Sequence, residues 1–138
     1  MKGLPALFWC AAVVLAAPPA IPLRWSIGDP SPAIRKTVQP LKFAESVGQR
    51  AAILGREDGQ FEAWVYPLKV VSAFRLSVYF DGSLEPVPLA DMAEQIVVGP
   101  GRVTITHSHA AFTVKQTWVA SIEDPVLAVL LDIETARP

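Results

Sequence analysis

Two histidines, His107 and His109, stand two residues apart in a stretch where apolar and polar residues alternate. On a β-strand, positions i and i+2 point to one face, so the pair can offer two imidazole ligands to one metal ion. A metal site needs a third ligand, and no local Asp, Glu or Cys supplies it. Glu62 or Glu123 would have to approach through the fold. The plainer reading makes both histidines polar residues at the end of a core-facing strand, near a turn or a domain contact. A second constellation is Glu62, Trp64 and Tyr66, which share a face if residues 61–66 are extended. An aromatic ring stacks on the C–H face of a sugar, and a neighbouring carboxylate accepts its hydroxyl protons. The same residues also fit a packed Trp64 with Glu62 paired to Arg75 or Lys69. These five residues are the candidate ligand-binding set.

No residue stands out as catalytic. Glycoside hydrolysis needs two carboxylates about 5–10 Å apart across a sugar cleft. Asp58, Asp81 and Asp91 occupy turn or loop positions, where Asp is expected for turn chemistry. Glu123-Asp124-Pro125 also reads as a turn. There is no nucleophile elbow and no Gly-rich phosphate loop. No cofactor and no metal are expected.

The elements that must position these residues read as strands. Half of the chain, 51%, is hydrophobic and only 18% is charged, so a real core can form. A formal charge of -1 gives no electrostatic footprint for nucleic acid or an anionic membrane. Asp58-Gly59 and Asp81-Gly82 mark turns that need positive φ, and Asp-Gly between apolar strands is a strong hairpin signal. Residues 50–54 and 61–65 form the arms of the first hairpin, with Phe61, Ala63 and Val65 as core candidates. Phe74, Leu76, Val78 and Phe80 alternate with Arg75, Ser77 and Tyr79, as in a half-buried strand. Pro86 and Pro88 confine residues 84–89 to an edge or loop. Residues 90–95 have room for one helical turn. Residues 96–98 form a short apolar run closed by Gly99-Pro100-Gly101. Residues 102–108 and 112–120 alternate again. Residues 126–133 are almost continuously apolar, which predicts a strand buried on both faces and paired on both edges.

These gaps are too short for parallel crossovers, which take a dozen or more residues. The expected fold is therefore all-β, an antiparallel two-sheet β-sandwich. It spans residues 48–138, behind a Pro-rich extended arm at 18–47 that lies on the domain and adds an edge strand. Residues 1–17 read as a signal peptide. Lys2 is a minimal positive start, and residues 3–17 are uncharged but shorter than the ~18–20 residues of a membrane span. Val14-Leu15-Ala16 offers cleavage before Ala17, and a retained N-terminal anchor is the alternative. Cys10, the only cysteine, lies inside this segment. Phe8 and Trp9 before it do not suit lipidation, so a cleaved chain carries no thiol or disulfide. The expected location is exported, periplasmic or extracellular, with no membrane after cleavage.

The block Gly59-Gln60-Phe61-Glu62-Ala63-Trp64-Val65-Tyr66-Pro67-Leu68-Lys69 continues through Val70-Val71-Ser72-Ala73-Phe74-Arg75-Leu76. With His107-Ser108-His109-Ala110-Ala111-Phe112-Thr113-Val114 and the strand carrying Gln116, it resembles the N-terminal β-sandwich of bacterial glycogen-debranching-like (amylo-α-1,6-glucosidase, six-hairpin) glycosidases. The resemblance covers residues 51–134 and rests on aromatic and turn positions. It implies a non-catalytic module of an α-glucan-active glycoside hydrolase. The partner would be a C-terminal (α/α)6 catalytic domain, and α-glucan a ligand of the parent. The family's acid and base lie in that barrel, so none is carried over and this chain alone is expected to be inactive. Residue 138 falls where the family continues, which implies a fragment. The alternatives are a stand-alone secreted carbohydrate-binding sandwich displaying Trp64, Trp118 and Tyr66, and a small metal-dependent β protein built on His107 and His109. Substrate linkage, oligomeric state and the natural C-terminus are not written in these residues.

Overall fold

The computed structural model describes residue 28 and residues 30–136. The signal-peptide reading, Cys10 and the start of the arm, with Trp25 and Ile27, lie outside the described residues. Eleven strands follow in chain order: β1 (Ile34–Thr37), β2 (Phe43–Val47), β3 (Ala51–Arg56), β4 (Phe61–Val65), β5 (Leu68–Phe74), β6 (Ser77–Val78), β7 (Val87–Pro88), β8 (Ala93–Gly99), β9 (Arg102–His109), β10 (Phe112–Ala120) and β11 (Leu127–Thr135). A 3-10 turn, Leu89–Met92, precedes β8. One sheet has the order β1-β8-β9-β10-β11 and the other β2-β3-β4-β5, with β6 and β7 as a separate ribbon. Every ladder is antiparallel. The expected all-β antiparallel sandwich is the observed fold.

Local chemistry explains the turns. Gly59, Gly82 and Gly101 adopt φ of 91°, 77° and 64°, the left-handed region where a Cβ is costly. Asp58 Oδ1 accepts the Gln60 backbone N–H at 3.0 Å, closing the β3–β4 turn as Asp side chains do. The described part of the arm contributes one strand to each sheet. β1 pairs with β8, and β2 pairs with β3.

Between the sheets lie Ile53, Phe61 and Ala63 from one side and Ile96, Val103, Ile105 and Trp118 from the other. Phe61 stacks on Phe74 at 4.4 Å and meets Trp118 edge-on at 5.2 Å. Trp118 is 0% exposed. An indole of that size buries 150–250 Å², which at about 25 cal/mol per Å² contributes roughly 4–6 kcal/mol. One polar link also joins the sheets. The buried Ser46 hydroxyl donates to the Gly101 carbonyl at 2.8 Å and accepts the Ala120 N–H at 2.9 Å.

Two expectations are corrected. The alternating run at 74–80 is not one strand. β5 ends at Phe74, and the chain turns away to pair Ser77 with Pro88 and Val78 with Val87. The Leu76 carbonyl accepts the Leu89 N–H at 2.8 Å, so this stretch takes its partner from the Pro-rich segment. Burial still alternates, with Leu76, Val78 and Phe80 half-buried and Arg75, Ser77 and Tyr79 exposed. Tyr66 lies exposed just past the end of β4, where its N–H continues the ladder to the Arg50 carbonyl at 2.9 Å. Second, residues 126–133 are not buried on both faces or paired on both edges. β11 is the edge of its sheet, and Leu131 and Ile133 are 44% and 61% exposed. Both face the core side, but the four-stranded sheet opposite does not reach over them. Only Leu127 and Val129 pack on the core.

Candidate functional site

A polar cavity lies at the end of the sandwich where the β3–β4 turn faces β9 and β10. It has a volume of about 300 Å³. Asp58, Gly59 and Gln60 of the turn form one wall. Arg75 and Ser77 line it between β5 and β6, Leu89 and Asp91 come from the 3-10 turn, and His107 and Gln116 close the floor. His107 is 1% exposed. The alternation of β9 turns Val103, Ile105 and His107 inward together, so the polar ring continues an apolar row.

The floor is a chain of hydrogen-bonding groups strung between two backbone carbonyls. His107 Nδ1 lies 2.9 Å from the Leu89 carbonyl oxygen, and Nε2 lies 3.3 Å from Gln116 Oε1. Gln116 Nε2 donates to the Gly59 carbonyl at 3.1 Å. A neutral imidazole donates from one nitrogen only. If Nδ1 donates to Leu89, the Nε2 lone pair faces the Gln116 oxygen. Turning the amide over would relieve that contact and set Oε1 against the Gly59 carbonyl. Burial pushes the His107 pKa below its ordinary value, while the Leu89 carbonyl, the Gln116 side chain and the Asp58 charge pull the other way. Burial prevails because the charged form loses its hydration.

The carboxylates around this end are held in structural bonds. Asp58 is buried, its oxygens taken by the Gln60 N–H at 3.0 Å and the Gln60 side-chain amide at 3.3 Å, with Arg56 at 4.0 Å. Glu57 is 1% exposed and accepts from Lys36 Nζ at 2.5 Å and from the Gln39 N–H at 2.8 Å. Burial raises its pKa, but those two bonds with the Lys36 and Lys42 charges outweigh it and hold Glu57 below the ordinary range. The sequence gives no hint of Glu57, because a Glu in a turn reads as solvated. Its burial depends on the β1–β2 connection folding over it.

The structure separates the candidates named from sequence. Glu62 and Trp64 lie together on the outer face of the smaller sheet. Glu62 Oε1 accepts Trp64 Nε1–H at 2.8 Å, and Oε2 accepts from Lys69 Nζ at 2.6 Å. These bonds, Lys69 first and then Trp64, hold the Glu62 pKa below its ordinary value. Lys69 Nζ sits 4.8 Å from the Trp64 ring centroid, so the ring face carries a cation already. Trp118 is in the core and offers no platform. His109 is exposed at the β9–β10 turn, stacked on Phe112 at 5.2 Å and against Phe80 at 4.9 Å. Its Nδ1 accepts the Ala111 N–H at 3.2 Å. The two histidines thus have different surroundings, and among the described residues no three His, Cys, Asp or Glu come together as a metal site.

Sequence reasoning missed Gln116, Leu89 and Asp58 as companions of His107. Gln116 lies 57 positions from the Gly59 carbonyl it bonds, and only sandwich packing joins them. The signal present was a lone Gln on an inward-facing position of β10. No family model matches the chain, and no curated protein and no solved structure matches it.

Proposed function

We propose that this chain is a non-catalytic β-sandwich module of an exported α-glucan-active glycosidase of the glycogen-debranching type, serving to brace a separate (α/α)6 catalytic barrel. The observation that carries the non-catalytic part is the state of its carboxylates. Among the described residues, Glu57, Asp58 and Glu62, the acids drawn into the packed surface, each bind two or more donors within the module. A general acid for glycoside cleavage needs a raised pKa and access to the glycosidic oxygen. Glu57 and Glu62 are held below the ordinary value. The antiparallel sandwich agrees with the resemblance of residues 51–134 to the N-terminal domain of those glycosidases.

The stand-alone carbohydrate-binding reading loses support from the buried Trp118 and the Lys69-capped Trp64. The test is to express this chain alone and the complete coding region around it, and to assay both on branched α-glucan. Release of glucose by the longer protein and none by this chain is expected. Hydrolysis by the chain alone, or a complete coding region without a helical-hairpin domain, would overturn the proposal.

A further inference from the structure

Among the described residues each of the two main sheets ends in an exposed strand edge, and natural sheets blunt such edges by shortness, bulges, charged residues or Pro. Three of the four edges are blunted here. β1 has four residues, β2 has five and carries Glu45 on its open face, and β5 has Lys69 and two register shifts against β4. β11 is neither short nor bulged and has no Lys or Pro, though Asp132 and Glu134 place charge on its outer face as Glu45 does on β2. Its nine residues pair with β10 without a break, from Leu127↔Ala120 to Thr135↔Phe112. It contains no Lys, Arg, Pro or Gly.

The direction of its free groups follows from the ladder. The Val126 carbonyl accepts from Ser121, and the Ala136 N–H donates to Ala111, so even-numbered residues turn their backbone polar groups toward β10. Antiparallel pairs alternate. Leu127, Val129, Leu131, Ile133 and Thr135 therefore present N–H and C=O outward. Their side chains share the core-facing side, as the pairing of Val129 with the buried Trp118 shows. Among the described residues nothing pairs with these outward backbone groups, and two of the five residues, Leu131 and Ile133, also leave apolar side chains uncovered.

We propose that β11 joins β11 of a second copy, antiparallel about a two-fold axis at Leu131, making one continuous sheet across the dimer. This goes beyond the module reading and does not depend on it. The occupant and the register come from the strand itself. About Leu131, Leu127 meets Thr135, Val129 meets Ile133, and every outward-facing backbone group of β11 finds a partner. Asp132 then lies opposite Leu130, and Glu134 opposite Ala128, so no like charges stand directly opposite, the two Asp132 side chains being diagonal neighbours. Shifting the sum of paired positions by two either way is worse. One shift puts Asp132 opposite Asp132, which is destabilising. The other puts Thr135 opposite Pro125, which has no N–H to give. In the favoured register the exposed Leu131 and Ile133 pack beside Leu131 and Val129 of the second copy, on the side the smaller sheet leaves open. The interface is isologous, so assembly closes at two.

Sedimentation velocity on the purified chain over a micromolar concentration series tests this. A dimer that dissociates on dilution is expected, and Leu131→Lys, which sets two ammonium groups face to face at the axis, should be monomeric. Tyr79→Lys, an exposed change elsewhere, should leave the dimer intact. If Leu131→Lys loses its β circular dichroism, amide exchange of the unmodified chain decides instead. The Val129, Leu131 and Ile133 amides should be protected in concentrated samples and exposed on dilution. A monomer at every concentration, a dimer that survives Leu131→Lys while folded, amides that exchange equally at all concentrations, or open-ended assembly would each overturn the proposal.

Discussion

Replacing Gly59 by Ala should destabilise this protein far more than the same change at Gly82. Both glycines follow an Asp in a turn, with φ of 91° and 77°. An L-residue in the left-handed region costs roughly 1–2 kcal/mol, and that backbone term is shared. The surroundings differ. A Cβ at Gly82 meets nothing within 4 Å. A Cβ at Gly59 would lie 2.5 Å from Gln116 Oε1 and 2.9 Å from His107 Cε1. Neither neighbour can step back freely, since Gln116 is bonded to the Gly59 carbonyl and His107 to the Leu89 carbonyl. Forcing them apart adds an overpacking cost of about 1–3 kcal/mol. It also breaks a buried hydrogen bond, leaving groups unsatisfied at about 1–3 kcal/mol more. The expected loss is about 3–8 kcal/mol for Gly59→Ala against about 1–2 for Gly82→Ala. The first is a large share of the 5–15 kcal/mol that holds a typical domain.

The assay is urea unfolding followed by circular dichroism, comparing midpoints at a common slope. A double-mutant cycle adds a check on cause. Shortening the obstructing side chain with Gln116→Ala should make Gly59→Ala less damaging, with a coupling of at least about 1 kcal/mol. Equal losses at Gly59 and Gly82, or additive effects of Gly59→Ala and Gln116→Ala, would refute the view that the turn is fitted to the buried His107–Gln116 chain.

His107 supplies a pH dependence whose sign follows from its burial. Its folded-state pKa is lowered, so just below the ordinary value of about 6.5 the unfolded chain binds more protons. Its contribution to stability is then present above that pH and lost as pH falls through the folded-state pKa. An NMR titration should place His107 below the ordinary value, and His107→Gln should flatten the pH dependence of the urea midpoint in this window. A midpoint above the ordinary value would mean that the flanking carbonyls outweigh burial. Trp118→Ala should cost about 3–5 kcal/mol, as for other buried aromatics, and Trp64→Ala less than half of that. Comparable losses from the two would contradict their placement in the core and on the outer face.

What could be read from the residues alone was what is decided within a few positions. Asp58-Gly59 and Asp81-Gly82 announce their turns because positive φ is a local demand, and the alternation around Val103, Ile105 and His107 announces an inward row. Which inward row meets which is not local. The cavity joins a turn at 58–60, a 3-10 turn at 89–92 and strands β9 and β10, and nothing in Gln116 by itself says that its amide reaches Gly59. The error at residues 126–133 has the same root. A continuous apolar run states that a strand has apolar side chains on both sides, but not whether another layer covers them. Here Leu127 and Val129 are covered while Leu131 and Ile133 are not, within one uninterrupted strand. The limit of the opposing sheet, and not any change along β11, draws that line. Exposed apolar side chains are common, but here they sit beside an open strand edge, which is what the proposed dimer would cover. The same run that reads as a core strand from its composition is, once its sheet edge is known, the element on which the proposed dimer is built.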